Sequence, residues 1–225
     1  MEKKSDLILV GNGPSVKSHK MGELIDSYDT VVRFNWYHID GYEEYVGTKT
    51  DIWFTTIFDP IRAKKKYDRV YEHSWCWNPA GDKNYIKLKE FMFTNGSAIN
   101  LCKTCHKICI DMINYYRRKK RMGTSMVWRE EYELWSTGAI AAWWFLNEKK
   151  LRYDSDKKTP KCDTIDLYGF DWWDMESNDN HHYGDDQTVG KNHKPKIELE
   201  FFKLLHDEGK IYDINPDSDF HYFYE

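Results

Sequence analysis

Three histidines stand in one polar stretch of this 225-residue chain: His181 and His182, followed by Tyr183, and then His193 with Glu198 five positions on. A histidine is the natural general base for a hydroxyl near neutral pH, and a second can steady charge developing on a leaving phosphate. Taken alone, the same residues read more readily as solvated loop histidines. Other polar groups stand directly behind apolar runs. Asn12 lies in Gly11-Asn12-Gly13-Pro14-Ser15, Asn35 follows Phe34, and Asp171 closes Tyr168-Gly169-Phe170-Asp171. Ser136, Thr137 and Gly138 precede a long apolar segment, where the first N–H groups and hydroxyls of a helix can hold a phosphate or a base edge.

Both common nucleotide signatures are missing. Gly11-Asn12-Gly13 lacks the third glycine of a dinucleotide fingerprint, and no Walker loop occurs. Asp-x-Asp pairs at Asp154/Asp156 and Asp217/Asp219 could hold a nucleotide-sugar metal, but neither ends an apolar strand, and no metal is expected. Cys102-Lys-Thr-Cys105-His106 matches the pattern for covalent haem attachment. Cys102, Cys105 and Cys109 nevertheless share one helical face, which reads as core.

The elements that must carry these groups follow from the apolar pattern. Leu7 to Val10 is a short, wholly apolar run broken by the glycine turn, as expected of a strand buried on both faces. Thr30 to Phe34, Asp51 to Thr55 and Thr164 to Tyr168 predict further strands, Val70-Tyr71 suggests another, and Ile211 to Ile214 a last one. Helices are expected over Asn100 to Lys120, from Ser136 through Leu146, and over Ile197 to Leu205; the stretch from Tyr67 to Arg129 is otherwise ambiguous. Strands alternating with helices imply a mostly parallel sheet covered on both faces, with ligands at the carboxyl ends of the strands. Asn12, Asn35 and Asp171 then share one rim. The polar, aperiodic stretch from Trp172 to Asn192 predicts a mobile lid.

Composition narrows the class. Net charge is −4, from 33 basic and 37 acidic residues well mixed along the chain, so no nucleic-acid footprint is indicated. Aromatic residues make up 16%, more than a core alone usually needs, so some rings are expected to line a cleft. The basic cluster Arg117 to Arg121 reads as a solvated helix end, with an anionic membrane surface or acidic acceptor as the other reading. No apolar run approaches the roughly 20 residues of a membrane span. The expected location is cytoplasmic, with peripheral membrane contact as an option.

In order along the chain, these pieces resemble the eukaryotic-type sialyltransferase family. Gly11-Asn12-Gly13, Asp29 to Asn35 and Val46 to Thr50 look like its large motif, and Ser136-Thr137-Gly138 with Leu167 to Phe170 like its small motif. His182-Tyr183 looks like the third motif and His193-x-x-x-x-Glu198 like the very small one. The chain is also similar to bacterial lipooligosaccharide sialyltransferases through Gly11 to Ser15 and Asn178 to Tyr183.

The resemblance implies one Rossmann-like α/β glycosyltransferase domain over residues 1–225, a GT-A-like variant with a lid at about 172–192. It implies inverting, metal-independent transfer of sialic acid from CMP-sialic acid to a glycan hydroxyl, with no cofactor beyond the donor. Asn12 and Asn35 would contact the nucleotide, with Ser15 also among the substrate-binding residues, and Ser136, Thr137 and Gly138 would hold cytidine or ribose. Tyr168, Gly169, Phe170 and Asp171 would border the donor pocket, with Tyr183 beside it. The base would be His193 on the eukaryotic pattern, with His182 on the phosphate, or His182 on the bacterial pattern. Cys162 stands where the small motif often has a cysteine, but Leu7 replaces the usual disulfide partner. The implied bridge therefore cannot form, which suits a reducing compartment. A Kdo-type CMP donor and a non-catalytic nucleotide- or glycan-binding module are the alternatives.

Overall fold

A computed structural model describes residues 3–56, 59–73, 83–94, 98–122, 135–151, 162–171 and 195–218. In chain order the strands are β1 (Leu7–Val10), β2 (Thr30–Phe34), β3 (Ile52–Thr55), β4 (Arg69–Glu72), β5 (Ala98–Asn100), β6 (Ile165–Tyr168) and β7 (Ile211–Asp213). The helices are α1 (Gly22–Asp26), α2 (Glu43–Val46), α3 (Lys83–Thr94), α4 (Cys102–Lys119), α5 (Thr137–Leu151) and α6 (Pro195–Asp207). The strands form one sheet in the order β5-β4-β3-β2-β1-β6-β7, and every neighbouring pair is parallel. This is the expected Rossmann-like α/β arrangement.

The wholly apolar β1 reads directly as its position. It lies between β2 and β6, with Leu7 and Leu9 in one core and Ile8 and Val10 in the other. The first core holds α4, α5 and α6 against the sheet through Ile108, Met112, Ala139, Ile140, Phe201 and Phe202. The second holds α1 and α2 through Ile25 and Val46, with Phe91 and Met92 of α3 packed against it. α5 is apolar nearly all round because it is buried nearly all round: Ala139 to Phe145 are all buried.

β2 carries an unusual core residue. The Arg33 side chain is buried, and its guanidinium donates to the carbonyls of Val46 (2.5 Å) and Lys49 (3.0 Å) and to Thr50 Oγ1 (3.0 Å). Burial pulls its pKa down to about 10. Asp26 accepts from the N–H groups of Thr48 (2.8 Å) and Lys49 (2.8 Å), so the Val46–Thr50 loop is pinned from two sides. In this chain, that part of the large-motif resemblance holds the sheet's flank together.

The expected strands and helices appear with bounds shifted by a residue or two, except that α5 runs on to Leu151, five residues past its expected end. The short α1 and α2 are additional, as are α3 and β5, which fall in the stretch that periodicity leaves ambiguous. Cys109 is buried and free. Leu7 lies in the core, while Cys162 is half-buried, with its Sγ 3.7 Å from the Phe145 carbonyl. At the end of α4, Lys119 pairs with Glu208 and Lys120 with Glu200. The expected lid at 172–192 lies outside the described residues. Among the described residues no helix is long and apolar enough to cross a membrane.

Candidate active site

The chain reverses its winding between β1 and β6: β1 continues toward β2 on one side, and β6 toward β7 on the other. Ligands of open parallel sheets bind outside the carboxyl ends of strands at such a point. Here the two strands stay joined past their ends. The Gly11 N–H donates to the Tyr168 carbonyl (2.8 Å) and the Gly13 N–H to the Gly169 carbonyl (3.0 Å). A Cβ on Gly11 would come within 2.2 Å of the Gly169 carbonyl oxygen, and one on Gly13 within 2.4 Å of the Asp171 carboxylate. The glycine turn therefore serves the approach of its neighbouring loop. The Asp171 carboxylate in turn accepts from the Ser15 N–H (2.7 Å) and from its hydroxyl.

Asn35 sits at the end of β2 with φ of 46°, in the left-handed region that asparagine tolerates better than most side chains. Its Oδ1 accepts from the Thr56 N–H (3.0 Å), its carbonyl from Trp53 Nε1 (2.9 Å), and its Nδ2 donates to Thr137 Oγ1 (3.3 Å). Asn12 Nδ2 donates to the Phe34 carbonyl (3.4 Å). Asn12, Asn35 and Thr137 thus gather where β1, β2 and the start of α5 meet.

Ser136 caps α5. Its Oγ accepts from the Ala139 N–H (3.2 Å) and donates to Glu198 Oε1 (2.6 Å), while its N–H donates to Glu198 Oε2 (2.8 Å). Burial pushes the Glu198 carboxyl up to about 7, against the opposing pull of the two Ser136 bonds. Ser136 is itself buried. Its polar atoms are engaged in fixing α5 on α6, and Thr137 is the more exposed hydroxyl of the pair. Gly138 allows the Phe170 ring against the first turn of α5, because a Cβ there would lie 2.5 Å from the ring. Phe170 also packs edge-on to Phe34 at 6.0 Å and against Phe202 at 5.6 Å. Tyr168 points away from this corner: it is buried, and its hydroxyl donates to the carbonyls of Val16 (3.0 Å) and His19 (3.0 Å).

The geometry brings Asn12, Ser15, Asn35, Thr137, Gly138, Phe170 and Asp171 to one rim, with Ser136, Tyr168 and Gly169 as its supports. His182, Tyr183 and His193 lie outside the described residues. Thr56 and Glu198 were not among the expected site residues, yet one holds Asn35 and the other holds Ser136. Glu198 is visible in sequence through its place after His193; Thr56 has no signal beyond following a strand. Asp217 pairs with His19 (2.9 Å), while the other three residues of the Asp-x-Asp pairs lie outside the described residues.

A glycosyltransferase family 29 (sialyltransferase) family model matches residues 6–126, more than half of the chain. Lactosylceramide alpha-2,3-sialyltransferase of Mus musculus is 22% identical over 240 residues, covering 92% of this chain and 52% of its own length. Alpha-N-acetylgalactosaminide alpha-2,6-sialyltransferase 1 of Homo sapiens is 25% identical over 237 residues, covering 90% of this chain and 36% of its own length. The chain therefore spans about half, or less, of the length of these curated relatives. A crystal structure of a mammalian sialyltransferase in complex with Gal-beta-1-3GalNAc-ortho-nitrophenol has a similar fold, with a TM-score of 0.57 at 19% identity. That match covers 93% of this chain and 68% of the other.

Proposed function

The chain belongs to glycosyltransferase family 29, the sialyltransferase family, and from that membership we propose that it transfers sialic acid from CMP-sialic acid to a glycan hydroxyl, with inversion and without a metal. The observation that carries this reading is the meeting of Asn12, Asn35 and Thr137 at the N-terminal end of α5. That corner offers amide and hydroxyl groups for cytidine and ribose, and the first N–H groups of a helix for a phosphate.

In the reaction, the acceptor hydroxyl attacks the anomeric carbon of sialic acid as the bond from that carbon to the phosphate oxygen breaks. CMP leaves with the bonding pair, and the acceptor proton goes to a base. The centre between the two partners is oxocarbenium-like, so catalysis needs donors to the departing phosphate and one positioned base. His193 takes the role of base, since it leads into the packed helix α6, and His182 donates to the phosphate. Metal independence is supported by the rim carboxylates already engaged by protein groups, Asp171 by Ser15 and Asp217 by His19. Leu7 stands in place of the usual disulfide partner of Cys162, which suits a reducing compartment, and we place the protein in the cytoplasm on that ground.

The test is CMP release from CMP-sialic acid in EDTA, with and without a panel of galactosides, beside calorimetric CMP affinity. The expected outcome is acceptor-dependent release. His193→Ala should lower turnover by about two orders of magnitude or more while sparing CMP affinity, and His182→Ala should damage both. Activity that needs manganese would overturn the metal-free assignment, and an active His193→Ala with a dead His182→Ala of full CMP affinity would reverse the two roles. Preference for CMP-Kdo over CMP-sialic acid would replace the donor.

A further inference from the structure

The turn after β3 combines a rigid frame with an outward-facing apolar side chain. Asp59, buried, accepts from the N–H groups of Ile61 (2.7 Å) and Arg62 (3.2 Å) and from Arg62 Nη1 (2.6 Å). The other guanidinium nitrogen, Nη2, donates to the carbonyls of Trp36 (3.3 Å) and Tyr37. The Tyr67 hydroxyl donates to the Arg62 carbonyl (3.1 Å) and shares a hydrogen bond with Tyr37 (2.8 Å). Arg62 and Lys65 both lie over the Tyr37 ring, at 5.1 Å and 5.4 Å. A segment fixed this firmly could bury an apolar residue, yet Ile61 is 66% exposed, more than the other exposed large apolar residues among the described ones, Met122 and Ile86. Around it stand exposed Pro60, Lys64, Lys65 and Lys66. Among the described residues no ion pair engages those three lysines.

We propose that this turn, Pro60 to Lys66, docks the protein on an anionic bilayer surface, with Ile61 entering the headgroup boundary and the lysines facing lipid phosphates. An exposed apolar side chain beside lysines that no ion pair engages among the described residues matches the two parts of such a surface, whereas an acidic glycan or nucleic acid would need only the charge. The turn hangs on the same rim as Asn35: Arg62 holds Trp36 and Tyr37, the two residues after it. Docking there brings the candidate site to the membrane. The Arg117 to Arg121 cluster is the weaker candidate, because Lys119 and Lys120 are paired with glutamates.

The inference goes beyond the transferase reading and is tested without donor or turnover. The full chain is co-sedimented with vesicles of phosphatidylcholine alone or mixed with phosphatidylglycerol. Binding is expected only to the mixed vesicles and should weaken as salt rises. Lys64→Glu and Lys66→Glu should each lower the partition constant by about five-fold or more, and Ile61→Ser should lower it several-fold. All three positions are exposed, so the thermal transition should be unchanged. Arg118→Glu with Arg121→Glu should leave binding intact. Failure to bind anionic vesicles, or binding that ignores Ile61→Ser, would overturn the proposal; so would binding lost only with Arg118 and Arg121. Retention on heparin without vesicle binding, equal for the native chain and Ile61→Ser, would overturn it in favour of an acidic macromolecule.

Discussion

Glu198 shows how one side chain can set the site without touching a ligand. Both of its oxygens accept from Ser136, and Ser136 in turn caps the helix whose first turn borders the candidate donor corner. Burial leaves the carboxyl at about 7, so the folded protein holds this proton to a higher pH than the unfolded chain, whose carboxyl titrates near 4.5. The stabilising contribution is therefore complete below about pH 4.5 and lost as pH rises through about 7, with a span of up to about 3 kcal/mol. Glu198→Gln mimics the protonated form, since an amide nitrogen can donate to Ser136 Oγ while the amide oxygen accepts from the Ser136 N–H. Urea unfolding at a series of pH values should show the native chain losing stability between about pH 4.5 and 7 relative to this variant. Parallel profiles would mean that Glu198 titrates no differently in the folded state. The sequence places Glu198 in a motif beside His193, but its actual partner, 62 residues earlier, could not be read there, because a tertiary hydrogen bond leaves no periodic trace.

At the scale of elements, legibility follows burial. β1, and α5 from Ala139 to Phe145, are buried on all sides and apolar throughout, which makes both plain in the sequence. β5 is three residues at the sheet edge, too short to display an alternation, and α3 mixes an exposed Ile86 with packed Phe91 and Met92. Neither could be found from pattern. The glycine turn after β1 was legible as a turn, but its purpose was not: its glycines admit the β6 loop. Gly11→Ala places a Cβ against backbone that belongs to the central ladder and cannot step aside, so the loss should reach about 3 kcal/mol or more. Gly41, with φ of +83°, has no neighbour within 4 Å, so Gly41→Ala should cost only the left-handed conformation, about 1–2 kcal/mol. Denaturant midpoints of the two variants separate packing from backbone strain. Equal losses would show that the β1 and β6 loops can move apart.

For the whole molecule, the parallel sheet divides labour between its two ends. The carboxyl rim gathers Asn12, Asn35, Thr137 and Phe170, whereas at the end of α4 Lys119 and Lys120 are paired with Glu208 and Glu200. The rim itself was foreseeable, because in a parallel sheet every residue that follows a strand emerges on the same side. The roles of the two histidines were not, because their sequence neighbourhoods match two patterns with opposite assignments. Hydrogen exchange with and without CMP tests the division directly. In the free protein β3, β2 and β1, at the sheet centre, should exchange only through global opening, and the edge strands β5 and β7 sooner. Added CMP should protect amides that follow the strands on the rim, at Asn12 to Ser15, Thr56, Thr137 and Gly138, together with the segment from 172 to 192 if it closes over the donor. Amides from Arg117 to Met122 should change no more than global stabilisation requires, since ligand binding to the native state slows every globally limited site alike. Protection concentrated at that opposite end, or spread evenly with no excess at the rim, would move the nucleotide site away from the corner where β1, β2 and α5 meet.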